Sequence, residues 1–436
     1  MTVVSDSLLS APMSGTIRAE VHFDRFLGKD YSNLSERFLY PSGKNYSIQY
    51  YHVYRSRFAA LKPLVEASAR SSLGPKAPIK RLSELSSGVT DTVLLIGTLY
   101  KLQKNKPNIL RQLEGEEQPS RGNYTSSEDE LILEDEEQRI KLVGDGINKE
   151  TLVTGIILGV YGRQSQSGKF TVEKIFYPAS QRIMRYTPTK SLYIAFLSNI
   201  RISPGNPSRC LELLQLAIDW ISGFEGCPKD QERNASIERL IIAGGLIQSG
   251  VSQEETFESV RLLENALLQL VKSLKVDILP EESLSNASLP QQPLHKCLFP
   301  RAAAYVSTLQ TVTNPYYFKL EDTLIHGTSG GNLRDIAKNS SLSDPLDIME
   351  RLLLWAHIAP TSPDTLGCFP YKDRDPLIME NRPHVLFSGG EGASALSSRT
   401  VEENLLLSLP DFSLSGSMVL LNLKDLSTQE IKFSVE

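Results

Sequence analysis

Eight residues sit where an α/β framework places its chemistry: Asn199 and Arg201, Gly245 and Gln248, Glu282 and Ser283, Gly390 and Gly392. Each pair follows the carboxyl end of a predicted strand, in the segments SLYIAFL, RLIIAGGLIQ, LKVDILP and PHVLFSGG. In open α/β sheets, ligands gather at such ends. A dinuclear hydrolase would need Asp, Asn and His there, to hold two metals about 4 Å apart and activate a bridging water. These eight residues offer amides, hydroxyls and bare glycines instead. Arg201 would place a cation where a cation should bind.

Calcineurin-like phosphoesterases carry DxH, then GDxxD, then GNHD or GNHE, a lone His, and GHxH. In register with this chain, the first Asp and His fall on Asn199 and Arg201, and the Asp pair on Gly245 and Gln248. The Asn and His of the third fall on Glu282 and Ser283, and the last two His on Gly390 and Gly392. Four registers in the right order point to a hydrolase framework without metal ligands. An active phosphodiesterase would need donors from other positions, such as Asp277, His326 or His384.

The remaining candidates are weaker. His22, His52, His295, His326, His357 and His384 form no HxH or HExxH, and read as structural or solvent-facing. GTSGGN (327–332) lacks the Lys-Ser/Thr of a P-loop and reads as a tight turn. Asp364, Asp373, Asp375 and Asp411 lie in Pro-rich segments, where Asp usually shapes a turn. Cys210, Cys227, Cys297 and Cys368 form no CxxC pair and read as buried free thiols. No cofactor is implied.

The elements that must position these residues fall into two blocks. DTVLLIGTLYKL, DELILEDE, EQRIKLVG, LVTGIILGVYG and KFTVEKIFYP are five predicted strands, which fit an OB-fold barrel. Before them, residues 47–70 predict a helix with Tyr51, Tyr54, Phe58, Leu61 and Val65 on its apolar face. Pro63 should kink or end it, and Arg55, Arg57, Lys62 and Arg70 should be solvated. PASQRIMRYTPTK is the expected linker. After it, strands alternate with the helices SRCLELLQLAIDWISGF, SQEETFESVRLLENALLQLVKSL and DPLDIMERLLLWAHIAP. Ser252 with Glu255 predicts a capping box, and Asp344 an N-cap. The expected domains are an N-terminal segment over 1–46, a helix-plus-barrel over 47–180, and an α/β domain over 181–436.

At 436 residues and net charge −5, the chain has no overall basic field to draw nucleic acid. Residues 91–180 hold 11 Lys+Arg against 14 Asp+Glu, with Glu128–Glu130 and Glu134–Glu137 crowding the central hairpin. A barrel that binds single-stranded DNA is thus disfavoured, because phosphates would be repelled. No signal peptide or run of about 18 apolar residues is visible, so no membrane association is expected.

LPQQPLHKCLFPRAAAYVSTLQTVTNPYYF, GTSGGN, APTSPDTLGCFPY, DPLI and PHVLFSGG, with LLIGTLYK, DELILEDEEQRIKLVG and LVTGIILGVYG upstream, resemble the second (B) subunits of replicative DNA polymerases, that of polymerase delta above all. The collinear similarity spans about residues 45–436. It implies an OB-fold joined to an inactive calcineurin-like metallophosphoesterase domain, an αββα sandwich. It also implies a nuclear, non-catalytic scaffold in DNA replication and repair synthesis. Its partners would be the metal-binding C-terminal module of the catalytic subunit and a third, clamp-interacting subunit, with DNA reached only through the holoenzyme.

Overall fold

The computed structural model describes residues 24–25, 30–43, 47–85, 91–107, 122–178, 181–182, 191–204, 207–280 and 289–435. The predicted linker over 178–190 falls almost wholly outside them, as do His22, Glu282 and Ser283.

After a short strand β1 (Tyr31–Asn33) comes the helix α1 (Tyr51–Leu73), unbroken at Pro63. A proline inside a helix removes one N–H, here the partner of the Ala59 carbonyl four residues earlier. Ala59 is exposed, so water can satisfy that oxygen. The buried stripe is Val53, Arg57, Leu61, Val65 and Ala69, at four-residue spacing. Leu61 and Val65 belong to the predicted face, but Tyr51 is 57% exposed. Arg57, expected in solvent, is wholly buried.

Five strands close into a barrel: β2 (Val93–Leu102), β3 (Glu130–Glu134), β4 (Arg139–Val143), β5 (Ile157–Gln164) and β6 (Phe170–Phe176). Their order is β2-β3-β4-β6-β5, with β5 pairing back to β2. Among these five, only β4 and β6 run parallel. This is the predicted OB topology. Alternation explains the hairpin: in ELILE the two leucines are buried and the glutamates are not.

The second block is a four-layer sandwich. One sheet runs β10 (Leu309–Thr311), β9 (Lys275–Leu279), β8 (Ile237–Ala243), β7 (Tyr193–Ser198), β16 (Ser417–Asn422) and β17 (Thr428–Lys432). The other runs β1, β11 (Tyr316–Leu320), β12 (Thr323–Thr328), β13 (Val385–Ser388), β15 (Asn404–Ser408) and β14 (Ser397–Val401). Phe196, Ile241, Leu279, Phe318, Ile325, Phe387 and Val419 pack between the sheets. Helices α2 (Pro207–Ile221) and α3 (Gln253–Leu270) cover the first sheet with Leu214, Ile218, Leu263 and Leu267. Helices α4 (Gly331–Asn339) and α5 (Pro345–Trp355) cover the second, supplying Ile336, Met349 and Trp355. The predicted caps are present: Ser252 and Glu255 bond reciprocally, and Asp344 accepts from the Leu346 N–H.

Barrel and sandwich share their apolar packing. One contiguous cluster runs from Leu99, Leu133 and Phe170 in the barrel to Ile336, Met349 and Trp355 on the sandwich helices. Residues Leu61 and Val65 of α1 join barrel residues Leu94 and Phe176 to Ala356 and Ile378. The barrel also caps the end of α4. Lys101 Nζ donates to the Asn339 carbonyl at 3.0 Å, Asn123 to Ala337 and Ser340, and the Tyr124 N–H to Lys338. Helix-terminal carbonyls need such donors, and a cation suits that end of the helix dipole.

Candidate functional site

The strand ends do converge. Ser198 and Asn199 leave β7, Gly244 and Gly245 leave β8, Ser329 leaves β12, and Gly389 to Glu391 leave β13. They meet at very close range. A Cβ on Gly389 would lie 2.6 Å from the Ser329 carbonyl and 2.8 Å from that of Ala243. One on Gly245 would lie 2.2 Å from Asn199 Oδ1, and one on Gly390 2.0 Å from the Leu409 carbonyl. Backbone carbonyls crowd Gly389 and Gly390, and Asn199 crowds Gly245, whereas a Cβ on Gly392 would meet nothing within 4 Å. Asn199 is fully buried, and its Nδ2 donates to Ser198 Oγ at 2.9 Å. Gln248 is exposed.

Charge at the crest is organised around Glu391. Arg201 reaches it at 2.6 Å and Arg334 of α4 at 2.9 Å. Burial alone would raise the Glu391 carboxyl, but the two guanidiniums hold it below its ordinary value. Asp411 completes the group, 3.6 Å from Arg201, and accepts from the Gly392 N–H at 3.0 Å. No sequence pattern marks Arg334; it reaches the crest only through the fold of α4.

This donor set does not fit a pair of divalent cations. Two guanidiniums already neutralise its carboxylates, and the six described positions are three glycines (Gly245, Gly390, Gly392), one arginine (Arg201) and two amides (Asn199, Gln248). Among the described residues, no group of three or more His, Cys, Asp or Glu could hold a metal. The substitute ligands are also scattered. Asp277 lies between the sheets, held by Arg239 at 2.6 and 2.8 Å and by the Tyr316 hydroxyl at 2.8 Å. His326 is buried among Phe38 and Tyr317, and burial lowers its pKa to about 3. His384 lies at the amino end of β13, its Nδ1 accepting from the Leu324 N–H.

Other small expectations resolve simply. His295 Nδ1 accepts from the Cys297 N–H, a local cap rather than a thiol pair. Cys368 is buried, but Cys227 and Cys297 are exposed, contrary to the expectation of buried thiols. GTSGGN turns from β12 into α4 through Gly330, at φ 99°.

A fully buried charge cluster lies elsewhere, at the seam between the two blocks. Arg57 of α1 donates through Nε to Asp375 Oδ2 at 2.6 Å. Its other nitrogens donate to the carbonyls of Ser362 at 2.6 Å, Pro360 at 2.8 Å and Gly155 at 3.2 Å. Gly155 belongs to the barrel and the others to the sandwich, so one guanidinium ties helix, barrel and sandwich together. His357 Nε2 lies 2.9 Å from Asp375 Oδ2. Its Nδ1 accepts from the Ala359 N–H, so Nε2 carries the proton and donates to Asp375. Burial, then the Arg57 charge, lowers the His357 pKa to about 4. For Asp375, burial would raise the carboxyl, but Arg57 and His357 outweigh it and hold it well below the usual range. Asp375 does shape a turn as predicted, through Oδ1 to the Leu377 N–H. Its other oxygen binds across the seam. The one sequence signal for Arg57 is its place in the Val53–Leu61–Val65–Ala69 spacing.

Comparison with known proteins fits this architecture. The family model for the DNA polymerase delta subunit OB-fold domain matches residues 49–175, and that for the B subunit of DNA polymerase alpha/epsilon matches 194–395. DNA polymerase delta subunit 2 of Drosophila melanogaster is 35% identical, over 93% of this chain and 98% of its own. The chain belongs to the DNA polymerase delta small-subunit family. The delta small subunit of Oryza sativa subsp. japonica is also 35% identical, covering 93% of this chain and 97% of its own. That of Saccharomyces cerevisiae is 29% identical over 90% and 91%. This delta small-subunit chain thus carries a buried ion cluster at the seam and a half-exposed one at its strand ends.

Proposed function

We propose that this chain is a non-catalytic accessory subunit of DNA polymerase delta, acting as a scaffold. Residues 47–180 form its helix and OB-fold, and residues 181–436 a phosphoesterase-like domain whose metal ligands are lost. Within residues 1–46, the strand Tyr31–Asn33 pairs with β11 of the latter. The scaffold bridges the C-terminal metal-binding module of the catalytic subunit and a third, clamp-interacting subunit. It works in the nucleus and reaches DNA through the holoenzyme.

The observation that carries this reading is the placement of Arg201 and Arg334 on Glu391, at the ends of strands that would otherwise present metal ligands. Two fixed positive charges oppose a dinuclear metal centre. What remains is surface. Fusing barrel and sandwich through a common core gives a broad rigid face, and permanent interfaces commonly bury more than about 2,000 Å².

Co-expression tests the proposal. The chain and the C-terminal module of the catalytic subunit should co-elute as one species on a sizing column. Separate elution of two folded proteins would end the scaffold reading. Elemental analysis checks the other half: two stoichiometric transition-metal atoms per chain would restore a hydrolase.

A further inference from the structure

A basic cleft of about 850 Å³ opens over the seam, between α1 and the loop that carries Asp375. It is too large for a single ion and lies at the upper end of the roughly 300–1,000 Å³ usual for ligand clefts. Arg37, Arg55, Lys372 and Arg374 line it, against Asp373 and Glu380. Asp375, at its floor, is already spent on Arg57. Arg37 pairs with Glu380 at 3.2 Å, while Arg55 has only a long, exposed contact with Glu136 at 3.8 Å. Lys372 and Arg374 are exposed and make no ion pair among the described residues. The cleft therefore keeps a positive surplus.

We propose that this cleft is a docking site for an acidic segment of a partner polypeptide. Charge identifies an anion, and two further features identify a peptide. First, beside His52 and Arg55, the α1 wall carries Ser56, Ala59 and Ala60, small enough for a main chain to approach closely. Ala59 is also the residue whose carbonyl loses its helical N–H to Pro63. Second, no Phe, Tyr or Trp lines the cleft and His52 is its single aromatic ring, so a run of bases has no extended stacking platform. Asp373 and Glu380 also repel an unbroken row of phosphates, whereas a peptide can space its carboxylates to meet Arg374, Lys372 and Arg55. The inference does not rest on the polymerase reading, since the cleft recognises a charge pattern whatever complex supplies it.

The test uses the full chain and a fluorescein-labelled dodecapeptide of alternating Glu and Ser, read by anisotropy. Binding is expected at low salt and should weaken steeply as salt rises. The Arg55→Glu/Arg374→Glu variant should lose at least tenfold in affinity. Ala59→Trp, which fills the small-residue wall without altering charge, should also lose at least tenfold. Lys424→Glu/Lys432→Glu, on exposed positions around β17, should bind as the parent does. Circular dichroism melts show whether each variant is folded. No binding by the parent, or unchanged binding by both cleft variants, would overturn the proposal. So would displacement of the peptide by oligo(dT) at a lower concentration than by unlabelled peptide, which would assign the cleft to nucleic acid.

Discussion

The strand ends and the domain seam hold comparable sets of charged groups in opposite environments. At the seam, the side chains of Arg57 and Asp375 are 0% exposed. At the strand ends, Arg201 is 27% exposed and Glu391 40%. In a hydrolase the order would be reversed, because perturbed, desolvated carboxylates cluster where chemistry is done. Here the perturbed carboxylate, through Arg57, ties the two blocks together. A buried pair is tolerable only if every donor and acceptor is placed, and that requirement fixes geometry. The contrast shows where this fold demands rigidity: in the angle between barrel and sandwich, not in the crest of the sheets.

The largest effect should come from breaking the seam. Arg57→Met leaves Asp375 as an unpaired buried charge and strips three carbonyls of a donor. A loss of roughly 3–5 kcal/mol is expected, read by urea denaturation of the full chain. Adding Asp375→Leu removes the stranded charge, so the double variant should be less destabilised than Arg57→Met alone. If Arg57→Met costs no more than Arg201→Met, the two regions are equivalent and the contrast fails.

Acid should destabilise the chain next, through two buried histidines, one of them at the seam. His357 and His326 are both buried and neutral, with pKa values lowered to about 4 and about 3 from 6.5. A histidine depressed in the folded state favours unfolding once the unfolded chain takes up the proton. Stability is therefore full above about pH 6.5 and falls as pH drops toward 4. Each contributes roughly 2 kcal/mol of loss between pH 7 and pH 5. Asp375, held low by its partners, keeps its contribution over this range and loses it at more acid pH. His326→Phe should remove about half of the slope in denaturation midpoints measured at pH 7, 6 and 5. A pH-independent midpoint would mean that neither ring is buried neutral.

What can be read in the sequence divides along the range of the interactions. ELILE announces its strand because alternation is a property of five neighbours. Ser252 and Glu255 announce a helix start because the cap closes over three residues. The strand-end positions are legible for the same reason: Asn199, Arg201, Gly245, Gly390 and Gly392 each follow a recognisable strand, and they do come together. The hairpin of β11 and β12 escapes notice, since Glu321 and Asp322 join the strands without a glycine signal. Arg57 is misjudged because its partner lies 318 residues away. Local pattern makes it a solvated base and makes Asp375 a turn residue. Only the packed structure shows one guanidinium serving a helix, a barrel and a sandwich at once.

The smallest expected effect tests the other side of the comparison. Arg201→Ala removes one of two guanidiniums from Glu391 and leaves Arg334 in place. Half-exposed pairs gain little over water and cost side-chain entropy, so the loss should stay below about 1 kcal/mol. It should shrink further in 0.5 M salt, where screening acts within a few ångströms. The Arg57→Met loss should barely respond to salt, because its pair is walled off from solvent. Measuring both variants at low and high salt therefore separates a surface charge from a buried one without comparing absolute magnitudes. A salt-insensitive loss of several kcal/mol at Arg201 would mean that the crest is sealed and structurally essential, and the chain's rigidity would then have two sources instead of one.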